Sequence, residues 1–120
     1  MGDAFDHDMF AKVRIHGKGT AALQEFIDRW HFCVDGLKEP PTKQTQYHKL
    51  YNQLKYHCDV PDIKNDMAHY ERLDESHPEH TFEWLWSRME RAIRKEHVLR
   101  NQKSFKHNYM HVTSGSLKKS

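Results

Sequence analysis

Apolar residues recur along this chain at intervals of three and four positions, in segments separated by prolines and glycines. The clearest segment follows Thr20, and its apolar positions are Leu23, Phe26, Ile27, Trp30 and Val34. This spacing places the side chains on one face of an α-helix, which repeats every ~3.6 residues. Because such helices bury their apolar faces against one another, the pattern predicts an all-α fold.

Flanking residues predict where this first helix begins and ends. We predict Thr20 as its N-cap, because a threonine hydroxyl can accept a hydrogen bond from a free N–H of the first turn. Gly36 is predicted to end the helix in the left-handed conformation, with Leu37 as the hydrophobic contact beyond it. Pro40 and Pro41 then prevent the helix from continuing.

Three further helices are predicted after these prolines. The second begins near Thr42 or Thr45, and its apolar face consists of Tyr47, Leu50, Tyr51, Leu54 and Cys58. A short third helix begins near Pro61, since proline is tolerated in a first helical turn, and its face consists of Ile63, Met67 and Tyr70. Thr81 is predicted to cap the fourth helix, whose inner face consists of Leu85, Met89, Ala92, Ile93 and Glu96.

The pattern divides the chain into three parts. Residues 1–18 fit either a short helix or an extended segment, and we treat them as an N-terminal arm. Residues 19–100 are predicted to form the helical domain. Residues 101–120 contain four lysines and no acidic residue, which predicts a flexible basic tail. The expected architecture is a small bundle of about four to five helices followed by that tail.

Composition limits the class of protein. Hydrophobic residues make up 37% of the chain, but the three tryptophans offer enough apolar area to support a folded core. No apolar run approaches the ~18 residues that span a bilayer, and no secretory signal precedes the helices, so we expect no membrane contact. Two cysteines are too few for a disulfide framework. An intracellular, cytoplasmic location is therefore expected.

Charge is distributed unevenly along the chain. Residues 59–83 carry two basic and eight acidic side chains, whereas residues 88–120 carry nine basic and two acidic ones. A basic end of this kind suits contact with a polyanion or head-to-tail packing between copies. The alternative is a solvated helix face that leads into a soluble tail, and the charges alone favour neither interpretation.

The basic stretch supplies candidate nucleic-acid contacts. They are Arg88, Arg91, Arg94, Lys95, Arg100, Lys103 and Lys106. Phe105 and Tyr109 could stack on bases beside them. Because no helix-turn-helix or zinc-finger spacing appears, binding of RNA or DNA here would be electrostatic and weakly selective. A charged helix end in solvent is an equal alternative.

Residues that could carry chemistry do not form a convincing pattern. Zinc could use His31 with Cys33 and His57 with Cys58, but residues two apart on a helix point about 200° apart. The two cysteines lie on or beside predicted inner faces, where thiols are usually inert. No phosphate-binding glycine loop or nucleophile elbow is present. We therefore expect a protein that is not an enzyme and that needs no metal or other cofactor.

Two tryptophans of the fourth helix are the candidates for self-association. Trp84 is displaced by about 100° from Leu85 on the helix, so it lies off the apolar stripe. Exposed aromatic residues of this kind often anchor protein interfaces, although packing against the N-terminal arm is an equal alternative. Trp86 widens the stripe, and we group it with Trp84 as a candidate.

Five short motifs follow one another between residues 19 and 101. They are LQEFIDRW at 23–30, GLKEPP at 36–41, LYNQL at 50–54, DMAHY at 66–70 and HPEHTFEWL at 77–85. In these packing signatures and their order, the chain resembles the capsid region of Gag-like proteins from LTR retrotransposons, especially copia-type polyproteins. It departs from that family in lacking the Cys-Cys-His-Cys zinc knuckle that often follows such domains.

The resemblance implies a structural function. Copies of the chain would self-associate into a homo-oligomer or shell by burying helix-borne apolar patches between them. The acidic segment 59–83 and the basic stretch 88–106 would provide complementary charge between copies. RNA is a possible second partner through the basic stretch, and a small non-specific nucleic-acid-binding module is the alternative function.

Overall fold

The computed structural model describes the backbone of residues 8–119 and the side chains of residues 8–104. Within this part the chain forms five α-helices and no β-strand, which confirms the predicted all-α bundle. The helices are α1 (helical at residues 8–11), α2 (Gly19–Gly36), α3 (Lys43–Tyr56), α4 (Pro61–Glu71) and α5 (Phe82–Lys119).

Helix α5 holds the bundle together, because it packs against α2, α3 and α4, and α3 also packs against α4. Four residues of its predicted stripe, Leu85, Met89, Ala92 and Ile93, belong to the core, whereas the fifth, Glu96, is only partly buried. With 38 residues, α5 is about 57 Å long, far longer than the helices it contacts. Its N-terminal part therefore packs, while side chains from Arg94 to Ser104 are exposed except at Glu96.

Trp30 lies at the centre of the apolar core. Its indole ring is only 3% exposed and makes edge-to-face contacts with Phe10 at 5.0 Å, Phe26 at 5.6 Å and Trp86 at 5.2 Å between ring centroids. These rings come from the N-terminal segment, α2 and α5. One side chain thus links three parts of the chain, and edge-to-face geometry is a favourable arrangement for aromatic rings.

The described part of the predicted N-terminal arm packs onto the helices. Phe10, Val13 and Ile15 are buried in the same core as Trp30. The backbone N–H of Ile15 donates to Oε1 of Gln53, a buried glutamine on α3, over 2.9 Å. Lys49, also on α3, donates to the carbonyl of Val13 over 3.0 Å. Two polar side chains of α3 therefore hold the segment in place.

Replacing Gln53 with alanine is expected to destabilise the fold by about 1–3 kcal/mol. The change leaves the buried N–H of Ile15 without its acceptor, and an unsatisfied buried donor costs that much. Urea denaturation followed by circular dichroism measures the effect. Gln44→Ala is the matched control, because Gln44 is an exposed glutamine on the same helix. Equal losses in the two variants would contradict this role for Gln53.

Several predicted helix ends are confirmed. The Thr42 hydroxyl accepts from the N–H of Thr45 over 3.1 Å and caps α3. The Thr81 hydroxyl accepts from the N–H of Trp84 over 3.1 Å at the start of α5. Pro61 occupies the first turn of α4. Local side-chain chemistry was sufficient for these three ends.

Both predicted caps of α2 are wrong, although the helix begins and ends within two residues of the predicted positions. Its N-cap is Lys18, whose side chain makes no capping hydrogen bond, and Gly19 with φ of 74° begins the helix. The N–H of Gly19 donates to the Asp59 carboxylate over 2.8 Å. A residue far along the chain therefore accepts a hydrogen bond from the first turn, which is the role predicted for Thr20. Gly36 stays inside the helix, because the chain leaves it through extended backbone at Leu37 and needs no left-handed residue.

The predicted tail and domain limits fall partly outside the described side chains. The backbone of α5 continues as helix through residues 101–119, and side chains after residue 104 are not described. Residues 8–18 share the core of the helical domain, as shown above. The limits at residues 18 and 100 remain predictions.

Candidate protein-binding surface and charged cleft

Trp84 packs within the chain. Its ring stacks on Tyr70 of α4 at 6.0 Å between centroids, lies 5.5 Å from the ring of His69 and carries the Arg88 guanidinium 4.4 Å above it. The predicted alternative to an interface anchor was packing against the N-terminal arm. The contacts instead are with α4, so Trp84 closes the α4–α5 contact and is only partly accessible.

Trp86 faces the other side of α5 and packs against α2. Its indole lies 5.2 Å from Trp30, 5.4 Å from His31 and 5.8 Å from Phe82 between ring centroids. Like Trp84, it is partly buried against the core. Both candidate residues for self-association thus bury much of their apolar area within a single chain.

The basic residues of α5 separate into two groups. Arg88, Arg91 and Lys95 line a cleft that faces the acidic α4, and Lys95 donates to the Asp62 carboxylate over 2.8 Å. The opposite charges of segments 59–83 and 88–106 therefore meet, at least here, inside one chain. Some of the charges predicted to pair between copies therefore pair within a single copy.

The other group lies outside this cleft. Arg94 and Lys103 are exposed on α5, and Arg100 pairs with Glu96 one turn earlier at 3.2 Å. A solvent-exposed pair of this kind contributes little to stability. Lys106 lies beyond the residues whose side chains are described. The basic stretch is thus a divided surface, with its first part turned toward α4.

Sequence reasoning missed the most exposed large apolar side chain among the described residues. Phe32 on α2 is 75% exposed and lies beside a groove of about 480 Å³ between α2 and the N-terminal segment. The groove continues toward Leu37. We call this region the Phe32 surface, and its residues are Met9, Lys12, Val13, Asp28, Arg29, Phe32, Cys33 and Leu37.

One signal could have identified Phe32 from sequence. On a helix whose apolar face includes Trp30 and Cys33, residue 32 points away from the core, and phenylalanine is an unusual choice for a solvated position. Helical periodicity identifies the apolar residues that lie on the stripe, but it does not identify large apolar residues that lie off it. The groove itself could not be predicted, because it depends on where the N-terminal segment packs.

Both cysteines lie in the described part of the chain. Cys33 and Cys58 are buried and not joined in a disulfide, and burial raises the pKa of the Cys58 thiol, which keeps it protonated. Across residues 8–104, no group of three or more His, Cys, Asp or Glu side chains is arranged to hold a metal ion. Among the described helices, none combines the length and apolar character needed to cross a membrane.

Comparisons with protein-family models, with curated proteins and with solved structures found no match.

Proposed function

We propose that this chain is a self-associating helical module and that its copies pack through the Phe32 surface. The observation that carries the proposal is the exposed ring of Phe32 beside a groove with apolar walls. Burying such a ring is worth about 1.5–3 kcal/mol. An exposed aromatic beside a concave apolar surface is typical of a protein interface.

The arrangement suits a second copy of the same chain. A two-fold symmetric contact uses the same patch on both copies, so that patch must contain both the protruding group and the cavity that receives it. The Phe32 surface contains both, since the 75% exposed Phe32 ring forms one wall of the groove and Met9, Val13 and Cys33 line the rest of it. Each copy would insert its Phe32 ring into the groove of the other.

The charges at the rim of the groove also favour a second copy of the chain as the partner. Lys12 and Arg29 contribute positive charge, Asp28 contributes negative charge, and both cations already pair with carboxylates one turn away. A rim of mixed sign gives no preference for a strongly acidic or basic partner, whereas it can match its own copy across a two-fold axis.

The expected affinity is modest. Two buried phenyl rings supply about 3–6 kcal/mol, but association costs on the order of 4–15 kcal/mol in lost translational and rotational freedom. The other groove contacts must supply the difference. We therefore expect a reversible, concentration-dependent dimer with a dissociation constant in the micromolar range.

Capsid-like assembly would extend the proposed dimer into a larger oligomer or shell. Self-association is what the resemblance to Gag-like capsid regions implies, and Trp84 and Trp86 would support it indirectly, by shaping the subunit. A two-fold contact alone closes a dimer, so a shell needs a second, different contact between copies. The partly accessible faces of Trp84 and Trp86 are candidates for that second contact.

Phe32→Ser is expected to shift the dimer toward monomer. The substitution removes the protruding ring from a position where it has little role in the fold of one chain. Size-exclusion chromatography with light scattering, run over a concentration series at low salt, gives the mass directly. We expect the wild-type mass to rise with concentration and that of the variant to stay at 14.4 kDa.

Tyr56→Ser is the matched control, because Tyr56 is 67% exposed and lies outside the Phe32 surface. It should leave the mass profile unchanged. A wild-type chain that stays monomeric at tens of micromolar, or equal effects of the two substitutions, would overturn the proposal.

A second candidate function is weakly selective nucleic-acid binding, which the exposed Arg94, Arg100 and Lys103 favour. It predicts affinity for single-stranded RNA that falls steeply with salt, because bound phosphates release counterions. Deleting residues 101–120 should weaken this binding strongly. RNA affinity that is unchanged by the deletion would place the contacts elsewhere.

A further inference from the structure

A polar cleft of about 180 Å³ lies between α4 and α5, on a different part of the molecule from the Phe32 surface. Asp62, Asn65 and Asp66 line it from α4, and Arg88, Arg91, Ala92 and Lys95 line it from α5. Three cations thus face two carboxylates across a small concave space. The cleft carries a net positive charge and includes an amide that can also donate hydrogen bonds.

The first cation is held in position before any ligand arrives. The Arg88 guanidinium lies 4.4 Å above the Trp84 ring, and its buried Nε finds no hydrogen-bond partner among the described residues. The Trp84 stack limits the rotamers that Arg88 can adopt, so its outer nitrogens lose little entropy when they bind. Arg91 follows one turn later on the same face of α5.

One of the two carboxylates already has a cationic partner within the chain. Asp62 is engaged by Lys95 over 2.8 Å, which offsets its charge. Burial raises the pKa of Asp66, while the charges of Arg88 and Arg91 lower it to a smaller extent.

We propose that this cleft binds a phosphate-type oxyanion through Arg88 and Arg91, with Lys95 and the Asn65 amide beside them. Guanidinium groups recognise such oxyanions through paired, charge-assisted hydrogen bonds, and two of them one turn apart can converge on one group. With a volume of about 180 Å³, the cleft is of a size that admits a phosphate group or the end of a pyrophosphate.

The test titrates the full chain with pyrophosphate at low ionic strength and follows backbone and Asn65 side-chain amide signals by NMR. Arg91→Gln should weaken binding about tenfold, because it removes one charge-assisted contact. Arg94→Gln is the matched control, since Arg94 is exposed on the same helix but does not line the cleft. It should change the affinity less than twofold, as should Phe32→Ser.

Asp62→Asn sharpens the test because it should act in the opposite direction. Removing this carboxylate frees Lys95 and lowers repulsion, so pyrophosphate should bind more tightly. No shift at the cleft, equal weakening by Arg91→Gln and Arg94→Gln, or loss of binding in Asp62→Asn would each overturn the proposal. Circular dichroism confirms that each variant is folded.

A competition experiment distinguishes the source of the phosphate group. If a single-stranded oligonucleotide displaces pyrophosphate and also loses affinity in Arg91→Gln, the cleft takes phosphates of a nucleic-acid backbone. If the oligonucleotide neither competes nor responds to Arg91→Gln, the cleft takes a small free anion. Both results support a phosphate site, and they assign its ligand to different sources.

Discussion

Trp30→Ala is expected to lower the free energy of unfolding by about 3–5 kcal/mol, the usual cost of removing a buried aromatic side chain. The Trp30 ring contacts Phe10, Phe26, Phe82 and Trp86, so its loss leaves a cavity lined by rings from several elements. A small domain has only about 5–15 kcal/mol of total stability, and the variant should therefore be close to unfolding at 25 °C.

Urea denaturation followed by far-UV circular dichroism measures this loss. The Trp30→Ala variant and the reference protein should both carry Phe32→Ser, so that dissociation of a dimer does not contribute to the measured free energy of unfolding. Tyr56→Ala is the control for removal of an exposed aromatic ring and should cost less than about 0.5 kcal/mol. A loss of less than about 1 kcal/mol in Trp30→Ala would show that the ring cluster is not the centre of the core.

Tyr70→Ala is expected to have an effect of similar size, about 3–5 kcal/mol. Tyr70 is 1% exposed, stacks on His80 at 4.3 Å and on Trp84 at 6.0 Å between centroids, and shares a hydrogen bond with the Tyr47 hydroxyl. The substitution removes the side chain that joins α3, α4, the following loop and α5. We expect α4 and the loop before α5 to lose protection from amide hydrogen exchange first.

Tyr70→Phe separates the hydroxyl from the ring and carries a pH prediction. Burial, and next the hydrogen bond with Tyr47, raises the pKa of Tyr70 above its ordinary value near 10. Above about pH 10 the unfolded chain therefore loses a proton that the folded chain retains, so the free energy of unfolding falls as pH rises. This fall should be shallower in Tyr70→Phe, and an unchanged slope would contradict the assignment.

Much of the fold follows from local sequence rules. The apolar stripe on α5, the start of α3 near Thr42 and the cap at Thr81 depend on residues within a few positions of one another, and each was predicted correctly. The N-terminal cap of α2 was not, because Gly19 is held by Asp59, which lies 40 residues away. The packing of the N-terminal segment likewise depends on Gln53 and so on the position of α3.

The functional surfaces were harder to predict for the same reason. Sequence reasoning selected Trp84 for its position off the stripe, but the proximity of α4 gives that ring an intramolecular partner. It grouped Arg88 and Lys95 with the rest of the basic stretch, although Asp62 and Asp66 face them across the cleft. Phe32 drew no attention, because helical periodicity identifies residues that fit a core rather than those that protrude from it.

The central claim is that Phe32 of one copy enters the groove of another. The most direct test replaces Phe32 with the photoreactive residue p-benzoylphenylalanine, mixes isotope-labelled and unlabelled copies, and maps the crosslinks by mass spectrometry. We predict crosslinks between labelled and unlabelled chains that join position 32 to residues 9–13, which include Met9 and Val13 of the groove. Crosslinks confined to a single chain, such as to residues 1–7, would contradict the claim.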